Sequence, residues 1–232
     1  MTLLNNAMSF EGLNDLATLE TMFKEFFHKK TYDWWIPVKA GDIVVDLGSC
    51  VGMFTCHALD LGASKVVSVE PNFELLTTTM KNALPHLVEN PGSVVPEHAF
   101  VGTEKNHTNH SFGKSTAKTM AFSELLYKHN VKHIDYLKID IEGGEYSIFT
   151  ENNWDFLCNN VKHMAIEWHL DVFPEAPKQF MWIRDNLLSK YPGVIRWIDP
   201  EHARNAFDDE WLTAKWPIGW GSGFMMYLTN NG

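Results

Sequence analysis

Two stretches of this chain combine residue types and spacings that can do chemistry. The first, Gly41-Asp-Ile-Val-Val-Asp-Leu-Gly-Ser-Cys-Val-Gly52, ends an apolar run at Asp46-Leu47, turns through Gly48 and Gly52, and is followed by Val66-Val-Ser-Val-Glu70. The second, Ile134-Asp-Tyr-Leu-Lys-Ile-Asp-Ile-Glu-Gly-Gly-Glu145, sets Lys138, Asp140 and Glu142 at alternate positions before a Gly143-Gly144 turn. Glu167 and His169 repeat the alternation at the end of a further apolar run. Alternate residues of a strand share a face. If the two strands are neighbours, Asp140, Glu142, Glu167 and His169 converge. Charges on an apolar strand are costly unless paired or near solvent. These are therefore expected at the carboxyl ends of the strands, where the ligand crevice of an open α/β sheet lies.

Such a cluster could move a proton and hold a cation. Neutral His169 suits a base near pH 7, with Glu167 orienting it or acting itself. Asp140 and Glu142 could hold a positively charged ligand, an acceptor hydroxyl or the base. The expected catalytic set is His169, Glu167 and Asp140. Plainer roles compete: Glu142 could cap the helix after Gly143-Gly144, and Glu145 fits that helix's first turn, where the dipole favours acids. Lys138 is read as the partner of a neighbouring carboxylate. Asp140, Glu167 and His169 could also hold a divalent ion that prefers oxygen and nitrogen ligands. No spacing signature supports one, and no metal is expected. His98, His107, His110, His129, His133, His163 and His202 show no metal-ligand spacing either.

The glycine stretch points to a nucleotide-type cofactor. Gly48 falls where a strand turns sharply into a helix, and Gly52 lets that helix approach closely. Glu70 ends the neighbouring strand, 18 residues beyond Gly52, where a carboxylate can accept ribose hydroxyls. A nicotinamide cofactor wants G-x-G-x-x-G and seats its pyrophosphate on a helix N-terminus. Here Cys50 replaces the middle glycine, and Asp46 would repel a pyrophosphate. Asp46 could instead orient the turn or meet a cationic ligand. S-adenosylmethionine, with an ammonium, a sulfonium and no phosphate, fits better. The plain alternative is a glycine turn with a solvated Glu70 and no ligand.

Together the two stretches resemble the FkbM-type methyltransferases, class I enzymes that use S-adenosylmethionine and mostly methylate hydroxyl oxygens. The resemblance covers roughly residues 40–170. The family's D-x-G-A-N-x-G is matched by Asp46, Gly48 and Gly52, with Ser49 and Cys50 in place of Ala-Asn. Its K-x-D-x-E-G-x-E is carried in full by Lys138, Asp140, Glu142, Gly143 and Glu145. Met120-Ala-Phe-Ser-Glu-Leu-Leu126 shares only Glu-Leu with the family's T-L-D-E-L, and Glu167-Trp-His169 is similar to the Glu-x-His that ends its fifth strand. The resemblance implies methyl transfer from S-adenosylmethionine to a hydroxyl oxygen of a small molecule or glycan, with Glu70 on the ribose. The expected cofactor set is Asp46, Gly48, Ser49, Gly52, Glu70, Pro71, Asn72, Asp140 and Glu142. The expected fold is the α/β class I methyltransferase (Rossmann-like) fold: an open twisted sheet, mostly parallel, with an antiparallel last strand and helices on both faces. The competing functions are a non-catalytic cofactor-binding partner subunit and a nicotinamide oxidoreductase.

The elements that must position these residues follow from periodicity. Leu13, Leu16, Leu19, Met22, Phe23, Phe26 and Phe27 recur at helical spacing and predict helix ahead of the sheet, within 12–35. Ile43 to Val45 is an apolar run suited to a strand buried on both faces. Helices are predicted over 53–62 and 72–83, the second opened by Pro71 and Asn72, with a strand over 66–69 between them. Val94-Val95 predicts a third strand interrupted by Pro96. A polar loop over 103–118 has room for a short strand pair. A short helix over 123–128, a strand over 136–141, a helix over 144–150 and a strand over 164–168 follow. A helix over 176–190 and strands over 194–198 and 224–228 close the chain. This alternation predicts a mostly parallel sheet with helices on both faces. With no repeat or linker, residues 1–232 are expected to form one domain: a helical segment over 1–38 and a core over 39–232.

Bulk composition narrows the partners. The 232 residues are 45% hydrophobic, enough for a sizeable core. With 19 basic against 29 acidic residues the formal charge is −10, the wrong sign for gripping a phosphate backbone. Nucleic acid is not expected as a partner. Cys50, Cys56 and Cys158 form no C-x-x-C pair, which argues against a disulfide framework and structural zinc. The first residues lack a charged and apolar leader pattern and no apolar run is long enough to span a bilayer, so a cytoplasmic location is expected. A homodimer is allowed. Trp216 and Trp220 could stack on an acceptor ring. The loops 103–118 and Asp171–Pro177 flank the expected crevice and could form a lid.

Overall fold

The computed structural model describes residues 8–13, 20, 22–24, 26, 30–102, 117–197 and 223–230. In chain order the strands are β1 Ile43–Leu47, β2 Lys65–Val69, β3 Val94–Glu97, β4 Ala99–Val101, β5 Lys118–Met120, β6 Ile134–Ile139, β7 Val161–His169, β8 Val194–Trp197 and β9 Gly223–Thr229. The helices are α1 Met53–Asp60, α2 Phe73–Asn82, α3 Leu84–Glu89, α4 Phe122–Lys128, α5 Glu145–Ile148, α6 Glu151–Asn160 and α7 Ala176–Asn186. The main sheet runs β3-β2-β1-β6-β7-β9-β8. Its pairs are parallel except that β9 is antiparallel to both β7 and β8. The chain works outward from β1 to β3 and then returns to β6. The order therefore reverses between β1 and β6, the place where open α/β sheets bind ligands.

Strand alternation sorts the core into two faces. Val44, Val66, Tyr136, Ala165 and Tyr227 point to one side, against Phe54 and Ala58 of α1. Val45, Val67, Leu137, Ile166 and Leu228 point to the other, against Phe149, Trp168 and Phe180. Cover on both faces is why these strands read as unbroken apolar runs. The same parity puts Asp46, Ser68 and Lys138 on the Val44 side, and the register aligns Asp46 with both Ser68 and Lys138.

Four sequence expectations change in detail. Pro96 does not interrupt β3 but lies within it, opposite Ser68. An edge strand has one unbonded side, so a residue without an N–H is tolerated there. The end of the 103–118 stretch is β5, paired in parallel with β4, while 103–116 lie outside the described residues. The helix expected from Gly144 is a single turn, α5, followed after Phe149-Thr150 by α6. Strand β7 is longer than predicted and carries His169 itself. Of the helix expected within 12–35, described residues 20, 22–24 and 26 are helical. The N-terminal segment is anchored on α2, where Ser9 N–H donates to Asn82 Oδ1 at 2.7 Å and the Asn82 amide donates to Ser9 and Val51 carbonyls. Among the described residues no helix is long and apolar enough to cross a membrane.

Candidate active site

Beyond β1 the chain turns with Gly48, Cys50 and Gly52 at φ 81, 51 and 83. A Cβ on Gly48 would lie 1.7 Å from the Asp140 carbonyl oxygen, and one on Gly52 would lie 2.7 Å from Thr79 Cγ2. The first glycine therefore lets the end of β6 pass, and the second lets α2 pass. Cys50 adopts the left-handed region despite its Cβ. It is held there by its N–H donating to Glu70 Oε2 at 2.9 Å and by Thr79 Oγ1 donating to its carbonyl at 2.8 Å. Burial, and then the Glu70 charge, push its thiol up to about 12, so it is not a nucleophile.

Glu70 ends β2 with only 5% exposure. Its oxygens accept the Cys50 and Asn72 N–H groups, each at 2.9 Å. Burial raises its pKa to about 7, against the opposing pull of those two bonds and Lys138. Each oxygen retains acceptor capacity for a further donor. Asn72 caps α2, its Oδ1 accepting from Glu74 and Leu75 N–H at 2.9 and 3.3 Å. Its carbonyl oxygen is thus committed to the helix, as a good N-cap residue's should be. The Pro71 carbonyl accepts from His98 Nε2 at 2.9 Å. Ser49 is buried, its N–H donating to Val69 O at 3.0 Å. Its hydroxyl has no hydrogen-bond partner among the described residues.

Of the two roles open to Asp46, orienting the turn or meeting a cationic ligand, the contacts are those of the first, and the cation beside it belongs to the chain itself. Asp46 is fully buried. Its carboxylate lies 3.2 Å from Lys138 Nζ and accepts from Thr55 Oγ1 at 2.7 Å. Lys138 also donates to the Gly48 carbonyl at 2.6 Å and lies 3.5 Å from Asp140 Oδ2. Burial alone would lower the lysine's pKa, but Asp46 and Asp140 outweigh it and hold the ammonium charged. Asp46 therefore fixes the glycine turn through Lys138 and, being fully covered, does not line the crevice. Tyr32 completes this group in a way no sequence pattern signalled. Its hydroxyl donates to Asp140 Oδ2 at 3.1 Å, and its ring centre lies 5.5 Å from Lys138 Nζ.

The acid and histidine residues converge, because β6 and β7 are neighbours. Glu142 reaches the cluster by a different route from the one expected. Strand β6 stops at Ile139, so Glu142 is not on the strand face but in a left-handed turn at φ 50, just before Gly143 at φ 101. Glu145, read as ordinary first-turn chemistry, is the residue that holds His169. It is fully buried, accepts the Gly143 and Ile141 N–H groups at 2.8 and 3.2 Å, and takes His169 Nδ1 at 2.9 Å. His169 Nε2 lies 3.6 Å from Glu142 Oε2, 3.9 Å from Glu167 Oε1 and 4.0 Å from Asp140 Oδ1. Burial would lower the imidazole pKa, but Glu145, Glu167 and Glu142 raise it well above its ordinary value. The shift comes mainly from the buried Glu145, with Glu167 and Glu142 adding to it from the rim.

The Asp171–Pro177 segment adjoins this site: Val172 Cγ2 lies 2.9 Å from where a Cβ on Gly143 would be, and Phe173 is also within reach. Trp216, Trp220, His107, His110 and His202 lie outside the described residues. A cavity of about 350 Å³ lined by Tyr146, Glu151, Gln179 and Trp182 includes none of the expected site residues.

The profile of the methyltransferase FkbM domain matches residues 46–198. Among solved structures, a candidate rRNA methylase from Clostridium thermocellum superposes with a TM-score of 0.50 at 11% identity, covering 93% of this chain and 95% of that one. A candidate methyltransferase from Streptococcus mutans, solved with S-adenosylhomocysteine, gives a TM-score of 0.48 at 10% identity, covering 83% and 90%. The aspartate–tRNA ligase of Lactobacillus acidophilus is 30% identical over 76 residues, which are 32% of this chain and 12% of that protein. The chain thus spans about an eighth of that curated relative.

Proposed function

This chain belongs to the FkbM methyltransferase family, and on that premise we propose that it transfers a methyl group from S-adenosylmethionine to a hydroxyl oxygen of a small molecule or glycan. The observation that carries the reading is the position of the Asp140–Glu167–His169 cluster. It sits at the carboxyl ends of β6 and β7, directly against the glycine turn through the Gly48–Asp140 contact. The reading takes residues 1–232 as one catalytic domain.

The residues present fit the cofactor. Glu70 keeps acceptor capacity for ribose hydroxyls, and the backbone of the Gly48–Gly52 turn is bare of side chains at its two glycines. The Lys138 charge is spent on Asp46 and Asp140, so it does not oppose a cationic ligand. When bound, S-adenosylmethionine supplies a methyl activated by its sulfonium, for in-line displacement by the acceptor oxygen.

The chain's own task is alignment and proton removal. Alignment is the larger contribution, because fixing two reactants turns a bimolecular step into a local one. Glu145 locks the His169 ring, so Nε2 is held at a fixed position at the mouth of the cluster. The carboxylates of Asp140 and Glu167 are placed beside it to receive the acceptor's proton. A positioned base typically contributes about 10²–10⁴-fold.

Calorimetric titration with S-adenosylmethionine, S-adenosylhomocysteine and NAD tests the cofactor, repeated on Glu70→Ala. The reading expects micromolar binding of both adenosyl ligands, lost in the variant. Binding of NAD alone overturns it. Transfer of labelled methyl to hydroxylated sugars and phenols then tests the acceptor class.

A further inference from the structure

We infer that Asp140, Glu142 and His169 form a binding site for one divalent cation of the magnesium and manganese class, placed to hold the acceptor oxygen. The inference rests on the methyltransferase reading for its role, though not for the binding itself. Each of the three residues offers one ligand atom, and these atoms lie within 4.8 Å of one another.

The histidine separates this group from an ordinary patch of surface acids. Its side chain is 12% exposed, and Nδ1 is committed to the fully buried Glu145. Glu145 in turn is pinned by two backbone N–H groups. The ring therefore cannot turn, and Nε2 points at the carboxylates of Glu142 and Asp140 from 3.6 and 4.0 Å. Those separations are too long for hydrogen bonds. They suit atoms that share one ion with metal–oxygen distances of about 2.1 Å. Among the described residues Nε2 makes no hydrogen bond. A carboxylate behind a histidine, with the second ring nitrogen turned to an ion, is the outer-shell arrangement that metal-binding histidines use.

Asp140 has an outer partner as well. Tyr32 donates to its Oδ2 at 3.1 Å, while Oδ1 is the oxygen nearer His169. Glu142 lies at the rim, 47% exposed on a turn, on the solvent side of the group. Two carboxylates against one imidazole, with no thiolate, make the donor set mainly oxygen, the type that manganese(II) and magnesium take. The remaining positions are open to water and to a hydroxyl of the acceptor, whose oxygen the ion would orient and acidify.

The test uses the full chain, stripped of metal by chelation and titrated with manganese(II), following the free-ion electron paramagnetic resonance signal. S-adenosylmethionine affinity is measured on the same samples. The expected result is one manganese per chain. His169→Asn and Glu142→Gln should each weaken it at least tenfold. Glu145→Gln, which only releases the ring, should weaken it about 10–100-fold. Glu151→Gln, an exposed acid on α6, should not change it. Glu142 and Glu151 are exposed enough that their variants fold, which circular dichroism confirms. No stoichiometric manganese binding, or binding that all four variants leave equal, overturns the site. Cofactor binding without manganese binding sinks this inference and leaves the methyltransferase reading standing. Manganese binding without cofactor binding does the reverse.

Discussion

The carbonyl oxygen of Asp140 occupies the space in which any side chain on residue 48 would begin, 1.7 Å from an ideal Cβ on Gly48. Two sequence stretches about ninety residues apart are thereby interlocked, and the acid cluster is seated against the cofactor turn by backbone contact as well as through the Lys138 side chain.

Gly48→Ala should therefore unseat both. Gly41 provides the control, with a φ of 91 but nothing within 4 Å of its Cβ position. Gly41→Ala should cost only its backbone strain, about 1 kcal/mol. Gly48→Ala should cost about 3 kcal/mol or more and abolish cofactor binding. Urea unfolding of the two variants decides the matter: equal losses would mean that the Asp140 contact is not what requires glycine at 48.

Lys138 is the counter-charge for a carboxylate with no exposure to solvent. Lys138→Met leaves Asp46 buried and unpaired, a loss of about 3–5 kcal/mol. Adding Asp46→Asn should restore much of it, since the orphaned charge goes with it. A double-mutant cycle by denaturation measures this. Additive losses would show that the pair is not coupled.

How much of this was legible in sequence follows from where each signal comes from. The strands and their mostly parallel arrangement could be anticipated because buried parallel strands leave continuous apolar runs, and Asp46, Gly48, Lys138, Asp140 and His169 stand out against them. The convergence of Asp140 with Glu167 and His169 followed from parity alone. The roles within the cluster did not, because they depend on contacts between segments. Glu145 and Glu142 differ by three positions in one motif, yet one is sealed beneath His169 and the other is at the rim. Only the turn at Glu142-Gly143 decides which. The upward shift of the His169 pKa is invisible in sequence for the same reason, since it comes mainly from Glu145, 24 residues away. Tyr32 belongs to a segment with no motif, and its bond to Asp140 spans 108 positions.

Glu145→Gln separates holding His169 from binding the cofactor. A carboxamide has one acceptor oxygen where the carboxylate serves three donors, so at least one buried donor loses its partner. That should cost about 1–3 kcal/mol. With the ring released, turnover should fall by about 10²–10⁴-fold while S-adenosylmethionine affinity is kept, because Glu145 does not touch the glycine turn. Rates and calorimetry on the same preparation test this. Equal falls in binding and turnover would place Glu145 in the fold rather than behind the histidine.

Glu70 gives the site a pH dependence whose sign follows from burial. Its pKa is raised from 4.5 to about 7 in the folded chain. Between those values the folded state binds a proton that the unfolded state has lost, so stability falls as pH rises through that window. Above about pH 7 the full penalty of about 3 kcal/mol is present, and Glu70→Gln should flatten the profile. Ribose hydroxyls donate, so they favour the carboxylate, and bound cofactor should pull the pKa back down. Cofactor affinity is then expected to rise from about pH 6 to about pH 8 and to level off once Glu70 is ionised unaided. Below the midpoint, binding should release a proton. Calorimetry in two buffers of different ionisation enthalpy detects that proton directly. Affinity without pH dependence in the wild-type chain would mean that the ribose is not held by Glu70.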